Sequence, residues 1–369
     1  MEVLTQRVID RAVKLQQIPA PTFQEARRAA YVEEQFRAEG LQEVSVDEVG
    51  NVYGCLAGEG GEKPLVVSAH LDTVFPLETN LSLRWEGNKI YGPGLGDNSL
   101  GVAGLFGLIW GVRQHKLSLP GDVWLVANVG EEGVGNLKGM YAVVERFGEK
   151  ALAYLILEGL ALGQVYNRAL HVQRYRVQVE TAGGHSWVDY GQPSAVHELA
   201  SLINQLTALE MPDKPRTTLN VGVISGGTTI NTIACKAMME VDLRSEDSHT
   251  LDHLVERVEA VFWAADRPDV RVVAEMIGRR PAGKIHANHR LVRLAQRCLE
   301  RCGVQPTLGV GSTDANIPLS RGLPAICIGL TSGGNAHTPD EFILTRPLER
   351  GLSQLLDLVQ GSFSELAKH

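Results

Sequence analysis

The chain has little of what marks several protein classes. Only five of its 369 residues are cysteine, at 55, 235, 298, 302 and 327, an odd and scattered set that supplies no disulfide framework. Cys298 and Cys302 lie four apart in a helical pattern, which suits two small buried residues better than half of a zinc site. A reducing cytoplasm is the simplest compartment. No run of Lys or Arg occurs, and 35 basic against 43 acidic residues give a formal net charge of −8. Nucleic acid and anionic membrane are therefore excluded as main partners. The most apolar stretch, GVAGLFGLIWGV at 101–112, is too short to span a bilayer and predicts a buried helix. The opening residues, MEVLTQRVIDRAVKLQQIPAP, carry charge throughout and lack the apolar core of a signal peptide. Familiar catalytic signatures are missing as well. HELAS at 197–201 lacks the second histidine of a zinc-protease helix, and GHSWV lacks the closing glycine of a serine-nucleophile turn. No glycine-rich stretch ends in the GK[ST] of a phosphate-binding loop.

What remains is an ordinary globular composition, 44% hydrophobic and 21% charged, with length for about two domains. Residues 1–40 read as an amphipathic helix, the break PAPT and a second helix, EARRAAYVEEQFRAEGL, with Gly40 as its stop. Short apolar runs then alternate with helical patterns: LVV at 65–67, a helix over 99–113, VWLVANV at 123–129, a helix near 137–146, and LAYLIL at 152–157. This alternation predicts a sheet covered by helices on both faces. After Arg168 the pattern changes. HVQRYRVQVET alternates apolar and polar, as a strand exposed on one side does. A helix (193–209), the strands TTLNVGVIS and KAMMEVDLR, a helix (248–264) and the strand VRVVAEMIG follow, the order of a small ferredoxin-like α+β sandwich. From about 285 the α/β style returns with a helix (288–302), the strand AICIGL and a last helix (347–367). The expected fold is α/β: a mixed-sheet, three-layer αβα domain formed by 1–168 and 283–369, with an α+β domain inserted at 169–282.

Ligands of open α/β sheets bind beyond the carboxyl ends of the strands, so what each strand delivers there matters. LVV leads to His70 and Asp72, VWLVANV to Glu131 and Glu132, LAYLIL to Glu158, and AICIGL through TSGGNA to His337. Asp97 lies in YGPGLGDNSLG at the start of the apolar helix. Imidazoles and carboxylates thus gather on one rim without cysteine, a set for zinc, or for cobalt or manganese in its place. Two histidines and three carboxylates make two metal shells if one acid bridges. Three carboxylates against two divalent ions leave about one positive charge, which a bridging hydroxide neutralises. Asp72 shares a strand face with His70 and can accept its second ring N–H. Of the neighbours Glu131 and Glu132, one can ligate while the other handles protons.

HLDTV, GxGDNxxG, GEEGxG, LEG, GGHS, GGTTIN and HTPDE, in this order and spacing, resemble the di-zinc exopeptidase and aminoacylase family. Its members include glutamate carboxypeptidase, peptidase T, acetylornithine deacetylase and succinyl-diaminopimelate desuccinylase. The resemblance runs from IPAPTFQE at 18–25 to HTPDEF at 337–342. It implies one metal on His70, Asp97 and Glu158 and another on Asp97, Glu132 and His337, with Asp97 bridging through a cis peptide to Asn98. It further implies Asp72 as the orienting acid and Glu131 as general base. The inserted domain is implied to be a lid that also forms a homodimer, its His185 polarising the scissile carbonyl of the partner's site. The activity implied is hydrolysis of an amide bond in a short peptide or N-acyl amino acid, exopeptidase-like or deacylase-like. The lysine-glycine pair usual after the bridging aspartate is replaced by Asn98-Ser99-Leu100-Gly101. Glu158 resembles carboxypeptidases and deacylases, whereas IPAPTFQE and GSTDAN resemble peptidase T.

Each motif alone has a plainer reading. His70 could be a satisfied strand-end histidine, the Glu pair a solvated loop, Asp97 a helix N-cap and His185 a turn residue. Asn231 and Arg244 are read as contacts to a carbonyl oxygen and a substrate carboxylate, against a surface salt bridge of Arg244 with Glu246 or Asp247. Ser312 and Thr313, in the loop GVGSTDAN, are read as lining the substrate pocket through backbone N–H groups. A catalytically dead homologue acting as a scaffolding dimer is the alternative of another class, and loss of a ligand or of Glu131 would have favoured it.

Overall fold

A computed structural model describes residues 1–366. Chain contacts divide it into two compact units, Met1–Ala169 with Gly283–His369, and Leu170–Ala282, each with its own apolar core.

The first unit is built on a mixed nine-stranded sheet. Its centre holds the strands Gly121–Asn128, Glu62–His70, Ala153–Glu158 and Ala325–Gly329 side by side, and every neighbouring pair among them is parallel. Apart from the exposed start of Glu62–His70, their side chains are almost all buried, with apolar runs such as residues 65–67 and 123–127 at their centres, as a sheet covered on both faces requires. Because the four run the same way, their carboxyl ends open on one edge. The flanks are antiparallel: Val52–Leu56 and Gln42–Val46 on one side, Gln164–Ala169 on the other. These flanking strands were not anticipated from the sequence.

The helices Glu2–Gln16, Leu100–His115 and Leu348–Leu366 pack on one another, while Lys138–Phe147 packs against Gly121–Asn128 and the short helix Asn316–Ser320. Leu100–His115 is apolar all round and buried from Leu100 to Val112, the signature of a central core helix. With the preceding turn it reaches the length and apolarity of a membrane span, yet 94% of its apolar window is buried inside the fold. Gly40, at φ +68°, follows the second helix, Ala26–Ala38. None of the five cysteines is paired.

The second unit has the strand order Thr217–Gly226, Lys236–Ser245, His171–Thr181, Val270–Arg280, all antiparallel. Helices Ala195–Thr207 and Ser248–Ala265 pack on this sheet. The strand periodicity is explained by its two faces. Val177, Val179, Met239, Val241 and Leu243 are buried, while Arg174 pairs with Asp242 and Arg176 with Glu240 across neighbouring strands. Asp247 caps the second helix by accepting the N–H of Thr250 at 2.9 Å.

Candidate metal centre

His70 is the last residue of its strand and pairs in register with Asn128, so Glu131 and Glu132 emerge beside it one short turn later. Glu158 ends the strand on the other side of His70. The chain leaving Ala325–Gly329 must travel further, to His337. A small antiparallel sheet guides it, in the order Gly333–Gly334, Phe342–Leu344, Lys89–Tyr91, Arg84–Glu86. This sheet ties the loop holding His337 to the strand that leads into Asp97. Glu341, fully buried, completes the tie by accepting the N–H groups of Gly96 (2.6 Å) and Asp97 (2.9 Å).

Asp97 divides its carboxylate. Oδ1 lies 3.2 Å from His70 Nε2, and Oδ2 lies 3.0 Å from His337 Nε2. His70 Nε2 is also 3.7 Å from Glu158 Oε2, and His337 Nε2 is 3.2 Å from Glu132 Oε1. The donor atoms of His70, Asp97 and Glu158 form one group within 4.8 Å of one another, and those of Asp97, Glu132 and His337 form another. His70, Glu131 and Glu132 make a third such group. The peptide between Asp97 and Asn98 is cis. Asn98 turns inward: its Nδ2 donates to the carbonyl of Leu157 (2.8 Å), and its Oδ1 accepts from the N–H groups of Gly159 (2.8 Å) and Gly101 (3.1 Å). It thereby locks the Asp97 turn to both sides of Glu158.

The protonation pattern suits a cation site. Burial pushes Glu158 up to about 7. It does the same to Glu132, with the charges of Asp97 and Glu131 adding to it. The carboxylates of Asp97 and Glu132 raise His337 to about 10. Burial opposes charge on His70, but Asp72, Asp97 and Glu158 overcome it and lift the imidazole well above its ordinary value. Burial likewise opposes charge on Asp97, and the two histidines hold it well below the usual carboxylate range. Without a cation, this crowding favours protons where a cation's charge would otherwise sit. The donors are oxygen and imidazole nitrogen only, the set expected for zinc, cobalt or manganese.

Asp72 behaves differently from the expectation. The nearest partner of His70 Nδ1 is the backbone carbonyl of Asp72 at 3.0 Å, with the carboxylate at 3.5 Å. The fully buried carboxylate instead accepts the N–H groups of Glu131 and Glu132, each at 2.9 Å, and the hydroxyl of Thr22 at 2.9 Å. It orients the glutamate pair more directly than the ring.

In the other loops some expectations change. The Thr313 N–H donates to Asn316 Oδ1 at 3.0 Å, so it is not a free donor for a substrate. Ser312 lies beside it, half-buried. The residue that stands out there is Asp314, fully buried, accepting from Asn128 Nδ2 at 2.7 Å, its carboxyl pushed well above the ordinary range by burial. In the second unit, Arg244 pairs with Asp242 at 2.6 Å rather than with Glu246 or Asp247. His185 and Asn231 are brought together by a two-residue ribbon, Gly184–His185 against Thr232–Ile233, and Ser186 N–H donates to the Asn231 carbonyl at 3.0 Å. His185 Nδ1 accepts from the amides of Trp187 (3.2 Å) and Val188 (3.4 Å), which leaves the proton of the neutral ring on the exposed Nε2.

With this geometry in view, comparison with known proteins is decisive. Residues 66–361 match the family model of peptidase family M20/M25/M40. The chain belongs to the M20 peptidase family. Carboxypeptidase G2 of Pseudomonas sp. (strain RS-16) is 26% identical over 337 residues, 84% of this chain and 77% of its own. Acetylornithine deacetylase of Klebsiella pneumoniae (strain 342) is 26% identical over 334 residues, 84% of both chains. Among solved structures, the YxeP protein of Bacillus subtilis, a dinuclear metal binding peptidase from the M20 family, superposes with a TM-score of 0.70 at 16% identity. That match covers 99% of this chain and 100% of the other. The fold is therefore the M20 one, with the second unit inserted in the chain between the two segments of the first. Sequence reasoning missed Glu341, Asn98 and Asp314 as supports of the candidate site, although all three lie inside or beside motifs it singled out.

Proposed function

We propose that this M20 family member hydrolyses an amide bond in a short peptide or N-acyl amino acid, using two divalent metal ions. The observation that carries the reading is the divided carboxylate of Asp97, with one oxygen toward His70 and the other toward His337. His70, Asp97 and Glu158 would hold one ion, and Asp97, Glu132 and His337 the other, with zinc as the native metal and cobalt or manganese as substitutes. Three carboxylates against two divalent ions leave about one positive charge, matched to an attacking hydroxide. Bound there, the ions polarise the scissile carbonyl and acidify a water.

The chain's own groups do the rest. Glu131, buried beside His70 and Glu132, takes the proton of the attacking water and delivers it to the leaving nitrogen as the C–N bond breaks. Asp72 fixes the backbone that aims Glu131 and Glu132 in different directions. His185 presents Nε2–H to the developing oxyanion, offered by the inserted domain of a second copy in a homodimer. Asn231 and Arg244 contact the substrate's oxygen atoms. The intact set of ligands and base speaks against an inactive scaffold, and the five unpaired cysteines suit a reducing cytoplasm.

The test is exhaustive chelation followed by addition of zinc, cobalt or manganese, assayed on a panel of dipeptides, tripeptides and N-acetyl amino acids. Activity should vanish and return with metal, and full activity in a verified metal-free preparation would end the proposal. Turnover confined to N-acyl amino acids would select the deacylase reading, which the likeness to acetylornithine deacetylase supports. Mixing inactive His185→Ala with inactive Glu131→Gln, with exchange of subunits demonstrated, should restore some activity if His185 acts across the dimer.

A further inference from the structure

The stretch from Ile18 to Arg28, between the first two helices and into the second, touches both loops of the candidate centre. Thr73 N–H donates to the Ala20 carbonyl at 2.9 Å, and the Thr22 hydroxyl donates to Asp72 Oδ2 at 2.9 Å. Glu25, buried, accepts the N–H of Gly130 at 3.1 Å, immediately before Glu131. Arg28 is only 2% exposed. Its guanidinium donates through Nη1 to the carbonyl of Leu71 at 2.7 Å, and through Nε (3.0 Å) and Nη2 (2.6 Å) to the carbonyl of Ile18. Among the described residues no ion pair is formed by this guanidinium.

A core helix position is normally filled by an apolar side chain, and burying a guanidinium is costly; the nearby charges of Asp72 and Glu25 offset only part of that cost. What Arg28 gains is a rigid, planar fork that joins two backbone carbonyls. One of them belongs to Leu71, the residue between His70 and Asp72. At the other end of the stretch, Glu25 holds Gly130. The two loops that supply His70, Asp72, Glu131 and Glu132 are thus anchored to one short segment.

We propose that Ile18–Arg28 is a brace that fixes the relative position of these loops, with Arg28 and Glu25 as positioning residues for the metal donors. The inference rests on the metal centre proposed above. Partners of this outer kind typically change metal affinity or activity by about 10–100-fold when lost. Glu25 acts here as an acceptor of backbone N–H groups, those of Phe23 and Glu25 itself besides Gly130, and a glutamine keeps an acceptor oxygen of the same reach toward Gly130.

The experiment uses the full chain stripped of metal and titrated with Co²⁺ against a competing chelator. The visible absorption of the cobalt form reports ligand geometry, and thermal melting of the metal-free protein reports folding. Arg28→Met and Glu25→Ala should each weaken Co²⁺ binding by roughly 10–100-fold and shift the cobalt spectrum, while Glu25→Gln should match the parent in both. Parent-like affinity and spectra in folded Arg28→Met and Glu25→Ala would overturn the brace. So would a Glu25→Gln variant as impaired as Glu25→Ala. If Arg28→Met shows no melting transition, the Glu25 pair decides. A parent chain that binds no Co²⁺ removes the metal centre itself and the brace with it, an outcome told apart by the parent's own titration.

Discussion

Replacing Asp72 with asparagine tests the claim that this buried carboxylate aims the glutamate pair. The change barely alters shape but converts one acceptor oxygen into an NH₂ group. At present Oδ1 accepts from Glu131 N–H, and Oδ2 accepts from Glu132 N–H and the Thr22 hydroxyl, all at 2.9 Å. Whichever way the new amide turns, one buried backbone N–H of the pair faces another donor. An unmet buried donor costs about 1–3 kcal/mol, and the surviving bonds lose their charge assistance, so the loss should be about 2–4 kcal/mol. For a unit of this size that corresponds to a drop on the order of 5–10 °C in melting temperature. Metal affinity or turnover should fall about 10–100-fold at the same time. The effect has a defined pH dependence. Burial opposes the charge on Asp72, but His70 and the two amides prevail and lower its pKa. The stability it contributes is therefore present above the ordinary carboxylate range and lost as pH falls through its lowered value. The gap between parent and variant should be full at neutral pH and close below about pH 4. Scanning calorimetry across pH, with a metal titration at neutral pH, makes the measurement. A variant that keeps the parent's melting temperature and metal affinity at pH 7 would refute the reasoning.

Glu131→Gln should keep its metal while turnover drops by roughly 10²–10⁴-fold; a variant that loses metal instead would exchange the roles of Glu131 and Glu132. Glu132 and Glu158 are raised to about 7 and His337 to about 10 in the metal-free chain. Each binds more protons folded than unfolded, the acids between about 4.5 and 7 and the histidine between about 6.5 and 10, so metal-free protein loses stability as pH rises through both windows. The melting-temperature gain on adding metal should accordingly grow from about pH 5 to pH 9, and a gain that shrinks over that range contradicts the electrostatic account. Gly101→Ala places a Cβ 2.0 Å from Asn98 Oδ1, which is already bonded to two backbone N–H groups. It should cost about 1–3 kcal/mol in a melting assay and weaken metal binding, whereas unchanged metal affinity would show that Asn98 does not control Asp97.

The central strands and most helices were legible because long apolar runs and 3.6-residue patterns carry their own signal. The strands ending at His70 and Glu158 sit where the sequence implied. The strands Arg84–Glu86, Lys89–Tyr91 and Phe342–Leu344 span only three residues each, too few for any period to show. Yet that small sheet is what draws His337 to Asp97. Arg28 was hidden for a different reason. It lies one and two turns before Val32 and Phe36, on the buried face of its helix, but beside Arg27 it reads as solvated charge. The adjacency of Glu131 and Glu132 signalled shared work and could not divide it, and the grip of Asp72 on both backbone amides is a contact that adjacency does not reveal. Thr313 was misjudged because its N–H is consumed by Asn316 three residues on, a local capping bond that competes with any ligand.

The two halves of the divided Asp97 site differ in access to solvent. The side chains of His70 and Glu158 are 2% and 16% exposed, whereas that of His337, opposite Glu132, is 52% exposed. Under the proposed ligand sets, an ion on the His70 side would be reached only past a buried imidazole, while one on the His337 side would exchange by the swing of a half-exposed ring, although Glu132 beside it is itself buried. Their residence times should differ accordingly, and the pair would load in order, inner before outer. The inner ion would then record the metal present when the chain folded. The outer one would follow the medium, so a single preparation would then hold two different metals, with a turnover that varies with the buffer.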